Sequence, residues 1–238
     1  MSFYKWIVFD ADNTLFDYDR AEKEALEQTL ESQGIDFRAQ VHQSYAEINS
    51  GLWKRFELGE LTSQEIRVQR FSDLKRRWNF DYQPAEVSSF YLTQLARQSW
   101  LLSGARELLE ELRNRKQFDL ALATNGIADV QRGRLERSGL ESYFEAVVIS
   151  DEIGFSKPSE RYFSILFETI GNPPRKEVLM VGDSLSPDIT GGIRFGLDTC
   201  WVNRSTQPHP ENCEPTYQIW DLRELWMILN LGPEPVLD

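Results

Sequence analysis

The sequence predicts an α/β fold, in which a doubly wound, Rossmann-like parallel sheet core carries an inserted all-helical cap domain. Short apolar runs recur along the chain without polar alternation, which is typical of strands covered on both faces. Helix-length segments separate the later runs, and this alternation favours parallel strands joined by right-handed crossovers. The interval 17–98 contains no strand-like run, which predicts the insertion.

Five apolar runs are the predicted strands of the sheet. They are Tyr4–Phe9, Phe118–Ala123, Ala146–Ile149, Val178–Val181 and Thr199–Val202. Each run ends in small or polar residues, and helical patterns follow at 127–138 and 160–170. Ligands of α/β folds bind at the carboxyl ends of such strands, so we expect the functional residues there.

Apolar residues within the insertion recur at helical spacing and predict four helices. The patterns cover 21–32, 41–59, 62–78 and 84–98. Thr62 and Pro84 are suitable helix starts, and Gly34 and Gly59 are suitable stops. The predicted domains are a core of residues 1–16 and 99–238 and a cap of residues 17–98. We expect the C-terminal segment Gly232–Asp238 to be frayed.

Composition limits the classes of function. The chain has 238 residues, of which 41% are hydrophobic, and a formal net charge of −12, which argues against binding a nucleic acid polymer or an anionic membrane. Two cysteines are too few for a disulfide framework. Asp10 interrupts the N-terminal apolar run, and no later run approaches about 20 apolar residues, so we expect a cytoplasmic protein.

Polar residues follow four of the predicted strands. Their motifs are Asp10-Ala11-Asp12-Asn13-Thr14, then Thr124-Asn125, then Lys157-Pro158, then Gly182-Asp183 with Asp188. Taken singly, these motifs also suit tight turns, helix caps or a solvated surface lysine. The pair Asp17 and Asp19 has the spacing of Asp10 and Asp12 but follows no apolar run, so we expect it to cap a helix or lie on a hinge surface.

Two carboxylates at the end of a buried strand require nearby positive charge. At about 4 Å, like charges repel by roughly 4 kcal/mol at an effective dielectric constant near 20. Lys157 and a hard, oxygen-liganded cation such as Mg²⁺ would offset this repulsion.

In this order and context, the four motifs resemble those of the haloacid dehalogenase (HAD) superfamily. The resemblance covers essentially the whole chain and includes a helical cap inserted after the first strand, as in subclass I members. One departure is Asn13, because many members have glycine at this position, although nucleotidase-like members often do not.

The resemblance implies a phosphatase that uses Mg²⁺. Asp10 would be the nucleophile that forms an aspartyl-phosphate, and Asp12 would protonate the leaving oxygen and then activate water. The implied metal ligands are Asp10, the Asp12 carbonyl, Asp183 and Asp188, and the implied phosphate-binding residues are Thr124, Asn125 and Lys157. HAD dehalogenases lack the second acid, because halide leaves without a proton, so Asp12 favours phosphate esters.

The cap sequence Asn49-Ser50-Gly51-Leu52-Trp53 resembles that of bacterial pyrimidine 5′-nucleotidases, which act on nucleoside 5′-monophosphates. Phe16 or Trp53 could stack on a base, although aromatic residues at helical spacing more often belong to a core. Three alternatives stay open: a sugar-phosphate or phosphoglycolate-type phosphatase, a phosphomutase and a non-catalytic phosphoacceptor protein. We expect a small phosphorylated metabolite as partner, no nucleic acid polymer, no membrane, and a monomer or weak homodimer.

Overall fold

The computed structural model describes residues 4–205, 208 and 213–232, and these residues form a six-stranded parallel sheet. The strands are β1 Trp6–Phe9, β2 Asp119–Thr124, β3 Ala146–Ile149, β4 Val178–Gly182, β5 Asp198–Val202 and β6 Tyr217–Ile219. Their spatial order is β3-β2-β1-β4-β5-β6, and every neighbouring pair is parallel. This confirms the predicted doubly wound sheet.

Strand β1 lies at the centre of the sheet. Trp6 pairs with Asp119 of β2 on one side and with Val178 of β4 on the other. The chain builds β2 and β3 on one side of β1 and then returns to build β4 on the other. The direction of winding therefore reverses between β1 and β4, which is where open α/β sheets bind ligands.

Both faces of the sheet are covered. Successive residues Ile7, Val8 and Phe9 of β1 are fully buried, although their side chains point to opposite faces. One face packs against α8 (Glu160–Thr169) and α9 (Gly191–Phe195) through a cluster that includes Val8, Met180, Phe163 and Phe195. Burial on both faces explains why the strands are apolar without alternation.

The five predicted strands are confirmed to within two residues at each end. Helix α5 (Ala105–Arg115) precedes β2, and α6 (Ala128–Ser138) and α7 (Ser150–Ile153) follow β2 and β3. Strand β6 was not predicted, because its three residues, Tyr-Gln-Ile, form no apolar run, and it lies at the edge of the sheet.

The insertion forms helices α1 Tyr18–Ser32, α2 Ala39–Glu57, α3 Ser63–Trp78 and α4 Pro84–Arg97. Thr62 begins α3 through a capping box: its hydroxyl accepts from the Glu65 N–H, and the Glu65 carboxylate accepts from the Thr62 N–H. Pro84 is the first residue of α4. Gly34 and Gly59 follow α1 and α2 with positive φ values of 69° and 74°. The predicted helix signals are confirmed.

An aromatic cluster with a buried cation packs between helices α2, α3 and α4. The rings of Tyr45, Phe71 and Tyr91 lie 5.2 to 5.6 Å apart. The Arg70 guanidinium lies 5.2 Å from the centre of the Tyr91 ring, and its Nη1 donates to the Tyr45 hydroxyl and to Oδ1 of Asn49 at 3.3 Å each. Hydrogen bonds and ring contacts thus partly replace the water that the buried guanidinium has lost.

The chain divides into two compact units. One contains the described residues of 1–17, 100–128 and 138–238, and the other contains 18–99 together with 129–137. Within the second unit, Nε of Arg134 donates to the Gln98 carbonyl oxygen, and Gly133 lies against Ala96. The predicted boundaries differ from this division mainly at 129–137, and the assignment of core and cap domains stays a prediction.

Cys200 and Cys213 are both buried free thiols. The predicted frayed tail falls mostly on 233–238, which lie outside the described residues. Among the described residues, none of the helices combines the length and the apolar character needed to cross a membrane.

Candidate active site

Polar side chains meet at the carboxyl edge of the sheet. Asp10 follows β1, and its N–H donates to the Val181 carbonyl oxygen of β4 at 2.8 Å. Thr124 is the last residue of β2, and Asp183 directly follows β4. Lys157 lies between α7 and α8 and reaches this edge with its side chain.

The ammonium group of Lys157 has a partner for each of its three N–H donors. Nζ lies 2.7 Å from Oδ1 of Asp10, 2.6 Å from Oδ1 of Asp188 and 2.6 Å from the Ala123 carbonyl oxygen. The side chain is 1% exposed. Burial alone lowers the pKa of Lys157, but attraction by Asp10 and Asp188 outweighs it, so the pKa is raised. Lys157 is therefore a permanent cation at this site.

Three carboxylates lie close together, and two of them, Asp10 and Asp188, contact Lys157. One oxygen from each of Asp10, Asp183 and Asp188 lies within 4.8 Å of the others. Burial raises the pKa of Asp10 to about 7, against the opposing effect of Lys157, and burial also raises the pKa of Asp183 well above its usual value. One lysine does not balance three acids, and hard carboxylate oxygens are the ligands that Mg²⁺ prefers. The donor set therefore fits a divalent cation.

The loop after β1 turns sharply at Asn13. Asn13 has φ 57°, its N–H donates to the Phe16 carbonyl oxygen at 2.8 Å, and the Leu15 and Phe16 N–H groups donate to Ala11. Glycine and asparagine tolerate this left-handed conformation, which gives a physical reason for asparagine at this position. Asp12, the predicted acid, is half-buried and forms a backbone bridge with Phe16.

The side chains of the motif at the end of β2, Thr124 and Asn125, form hydrogen bonds with backbone groups. The Thr124 hydroxyl accepts from the Gly126 N–H at 3.0 Å. Both polar groups of the Asn125 side chain bind the backbone of Lys157, at 2.8 Å each. The Asp151 carboxylate accepts from the Ala128 N–H at the start of α6. Thr124 and Asn125 thus lie beside Lys157 at the same edge of the sheet.

Gly182 is a further residue of the site, which the sequence motif Gly182-Asp183 contains but to which it assigns no role. A Cβ atom at this position would overlap the carboxylate of Asp188, so only glycine permits this close approach. Asp188 lies in a π-helical turn, Leu185–Thr190, and its Oδ2 accepts from the Ser184 N–H at 3.1 Å. The glycine in Gly182-Asp183 was the available signal.

We expect Gly182→Ala to displace Asp188 and to weaken Mg²⁺ binding by about tenfold or more, because ligand positions tolerate errors of only about 0.5 Å. Titration with Mg²⁺, followed by the rise in melting temperature, measures this effect. Gly51→Ala is the matched control, since a Cβ there meets nothing within 4 Å. Equal Mg²⁺ affinity in the two variants would contradict the role assigned to Gly182.

Four other residues that the sequence singled out lie in different surroundings. Asp17 donates its N–H to the Trp100 carbonyl oxygen, and Asp19 is exposed in the first turn of α1, as the capping or hinge interpretation expects. Phe16 is fully buried, which leaves no exposed ring face for a base in this structure. Trp53 is half-buried in α2 and packs edge-to-face on Phe56. The roles of Phe16 and Trp53 in substrate recognition stay predictions.

We expect the free energy of unfolding, measured with a chelator present, to fall as the pH rises from about 4 to about 7. The pKa of Asp10 is about 7 in the folded protein against an ordinary 3.8, so in this range the folded state binds more protons than the unfolded state. The full shift corresponds to at most about 4 kcal/mol. In Asp10→Asn, urea unfolding across this range should show a shallower decline of the free energy of unfolding. The decline that remains includes the contribution of Glu22, whose burial raises its pKa to about 7. Identical slopes would contradict this expectation.

The parallel sheet and the acidic site at its strand ends are those of a hydrolase with a Rossmann-like core. The chain belongs to the haloacid dehalogenase-like hydrolase family, which its residues 4–196 match. It is a phosphatase, as the family and two curated relatives support.

The relatives include two nucleotidases. Pyrimidine 5′-nucleotidase YjjG of Escherichia coli is 37% identical over 95% of this chain and 98% of its own length, and pyrimidine 5′-nucleotidase PynA of Streptococcus pneumoniae is 37% identical over 94% of each. The HAD-hydrolase YfnB of Bacillus subtilis is 38% identical over 97% of each chain. The crystal structure of YfnB bound to magnesium has a TM-score of 0.89, covering 95% of this chain and 99% of that one.

Proposed function

We propose that this protein is a Mg²⁺-dependent phosphatase that hydrolyses pyrimidine nucleoside 5′-monophosphates through an aspartyl-phosphate. The observation that carries the substrate class is the similarity to two pyrimidine 5′-nucleotidases over nearly their whole length. The proposal includes localisation in the cytoplasm. It also includes action as a monomer or weak homodimer, without nucleic acid or membrane partners.

Asp10 supplies the nucleophile. Its Oδ1 is oriented by Lys157 at 2.7 Å, and the Thr14 hydroxyl lies 3.5 Å from Oδ2. A carboxylate oxygen attacks phosphorus, the bond from phosphorus to the ester oxygen breaks, and Asp12 gives its proton to the leaving oxygen. Asp12 then takes a proton from water, whose oxygen attacks phosphorus and releases Asp10 and inorganic phosphate. The reaction consumes one water and leaves both carboxyl groups as they began.

Positive charge must accompany the phosphate into this acidic site. Asp10, Asp183 and Asp188 would hold Mg²⁺, with the Asp12 carbonyl as the fourth implied protein ligand. When bound, the cation neutralises carboxylate and phosphoryl charge. Lys157 keeps its own charge beside Asp10, and Thr124 offers a hydroxyl to a phosphoryl oxygen. The raised pKa values of Asp10 and Asp183 support the need for this added charge.

A phosphate-release assay across substrates tests the proposal. The panel contains pyrimidine and purine nucleoside 5′-monophosphates, sugar phosphates and phosphoglycolate, each with Mg²⁺ and with chelator. We expect pyrimidine 5′-monophosphates to have the highest kcat/KM and chelation to abolish turnover. If sugar phosphates exceed them by more than about tenfold in kcat/KM, equivalent to about 1.4 kcal/mol, the nucleotidase assignment fails. A phosphorylated form that lasts for hours without turnover would instead favour a phosphoacceptor protein.

A further inference from the structure

Asn125 binds both polar groups of its side chain to the backbone of one residue. Nδ2 of Asn125 donates to the Lys157 carbonyl oxygen, and the Lys157 N–H donates to Oδ1 of Asn125, each at 2.8 Å. This orientation of the carboxamide is the one that satisfies both partners, because a carbonyl oxygen needs a donor and an N–H needs an acceptor. The side chain and the Lys157 backbone therefore form a closed pair of hydrogen bonds.

The segment around Lys157 lacks regular secondary structure. Lys157 and its neighbours lie between the end of α7 at Ile153 and the start of α8 at Glu160. The ends of this segment bond to the flanking helices through Gly154 and Ser159, whereas the Lys157 N–H and carbonyl oxygen both bond to the Asn125 side chain. A residue outside helices and strands retains conformational freedom unless such contacts fix it. Asn125 supplies two such contacts.

The two ends of Lys157 are held by the same strand end. Asn125 directly follows β2 and binds the backbone, and the carbonyl oxygen of Ala123, two residues earlier, accepts from Nζ at 2.6 Å. Between these anchors, the side chain places Nζ at 2.7 Å from Asp10 and 2.6 Å from Asp188. Hydrogen bonds of this length tolerate little displacement, since they weaken once the atoms separate by about a further 0.5 Å.

We propose that Asn125 is a positioning residue, whose carboxamide fixes the Lys157 backbone so that the ammonium group stays against Asp10. This inference rests on the proposed function, and it assigns the Asn125 side chain a different role from the phosphate contact that the family resemblance implies. Asn125 acts on the reaction through Lys157.

A double-mutant cycle separates positioning from direct contact. The affinity for inorganic phosphate, measured with Mg²⁺ by titration calorimetry, is compared in wild type, Asn125→Ala, Lys157→Met and the double variant. We expect Asn125→Ala to weaken phosphate binding by about tenfold in the wild-type background and by less than about twofold beside Lys157→Met. An equal factor in both backgrounds means direct contact and overturns the inference.

A second measurement needs no Lys157 variant and no substrate. Because the Lys157 N–H donates to Asn125, we expect its amide hydrogen to exchange at least about tenfold faster in Asn125→Ala. The matched control is Ser159→Ala, which removes the hydroxyl that accepts from the Tyr162 N–H at the start of α8. The Ser159→Ala variant should leave the affinity for inorganic phosphate within about twofold of wild type. Unchanged exchange at Lys157 in Asn125→Ala would also overturn the inference.

The proposed function and this inference fail in different ways. If wild-type protein releases phosphate from none of the substrates, the proposed function fails, while the exchange result at Lys157 still stands. If wild-type protein is active and the cycle is additive, the role of Asn125 alone is wrong.

Discussion

Replacing Asp10 by asparagine should abolish phosphate release, with a loss of at least about 10³-fold in kcat, because the nucleophile is removed. The fold should survive, since Lys157 keeps Asp188 and the Ala123 carbonyl oxygen as partners. With chelator at neutral pH, Asp10→Asn should be at least as stable as wild type, because one of three clustered acids has lost its charge. Steady-state assays and urea unfolding measure both effects.

The chain carries its own control for this substitution. Asp19 belongs to a second Asp-x-Asp pair, lies exposed in the first turn of α1, and takes no part in the proposed chemistry. Asp19→Asn should keep wild-type kcat. Undiminished turnover in purified Asp10→Asn would show that Asp10 is not the nucleophile.

Replacing Lys157 by methionine should lower the free energy of unfolding by about 3 to 5 kcal/mol in Mg²⁺-free buffer at neutral pH, the usual cost of leaving buried charges unpaired. The ammonium group is the shared partner of Asp10 and Asp188, whose side chains are 10% and 1% exposed. Mg²⁺ should stabilise the variant more than it stabilises wild type, because the cation would replace the missing charge. Urea unfolding with and without Mg²⁺ measures the difference.

Two variants make this result specific. Lys5→Met removes an exposed lysine that pairs with Glu177 at 3.1 Å, and it should change stability by no more than about 0.5 kcal/mol. The double variant Asp10→Asn with Lys157→Met should be more stable than Lys157→Met alone, since one repelling carboxylate is gone. If Lys157→Met lowers the free energy of unfolding no more than Lys5→Met does, Lys157 does not neutralise Asp10 and Asp188 as described.

The sequence predicts the sheet and the approximate place of the site because both depend on local patterns. Apolar runs without alternation indicate doubly covered strands, and in a parallel sheet the residues after them share one edge. The sequence therefore predicts that Asp10, Thr124, Lys157 and Asp183 lie at one edge of the sheet. The tight turn at Asn13 is also compatible with the local sequence, because asparagine tolerates positive φ.

Long-range contacts could not be read in this way. The carboxamide of Asn125 meets Lys157 32 positions further along the chain, and no local pattern selects that partner over a phosphate. The overlap that a side chain at Gly182 would create with Asp188 is a property of packing in three dimensions. The same holds for the burial of Phe16 and for the grouping of 129–137 with the helical unit.

The central position of β1 has a consequence for synthesis of the chain. Trp6 through Phe9 are made before both of their neighbours in the sheet, which begin at Asp119 and Val178. At about 5 to 20 residues per second, roughly 10 to 30 seconds separate translation of β1 from translation of β4. During that interval, one edge of the nascent apolar strand has no native partner, and an unpaired strand edge is a template for pairing with other chains.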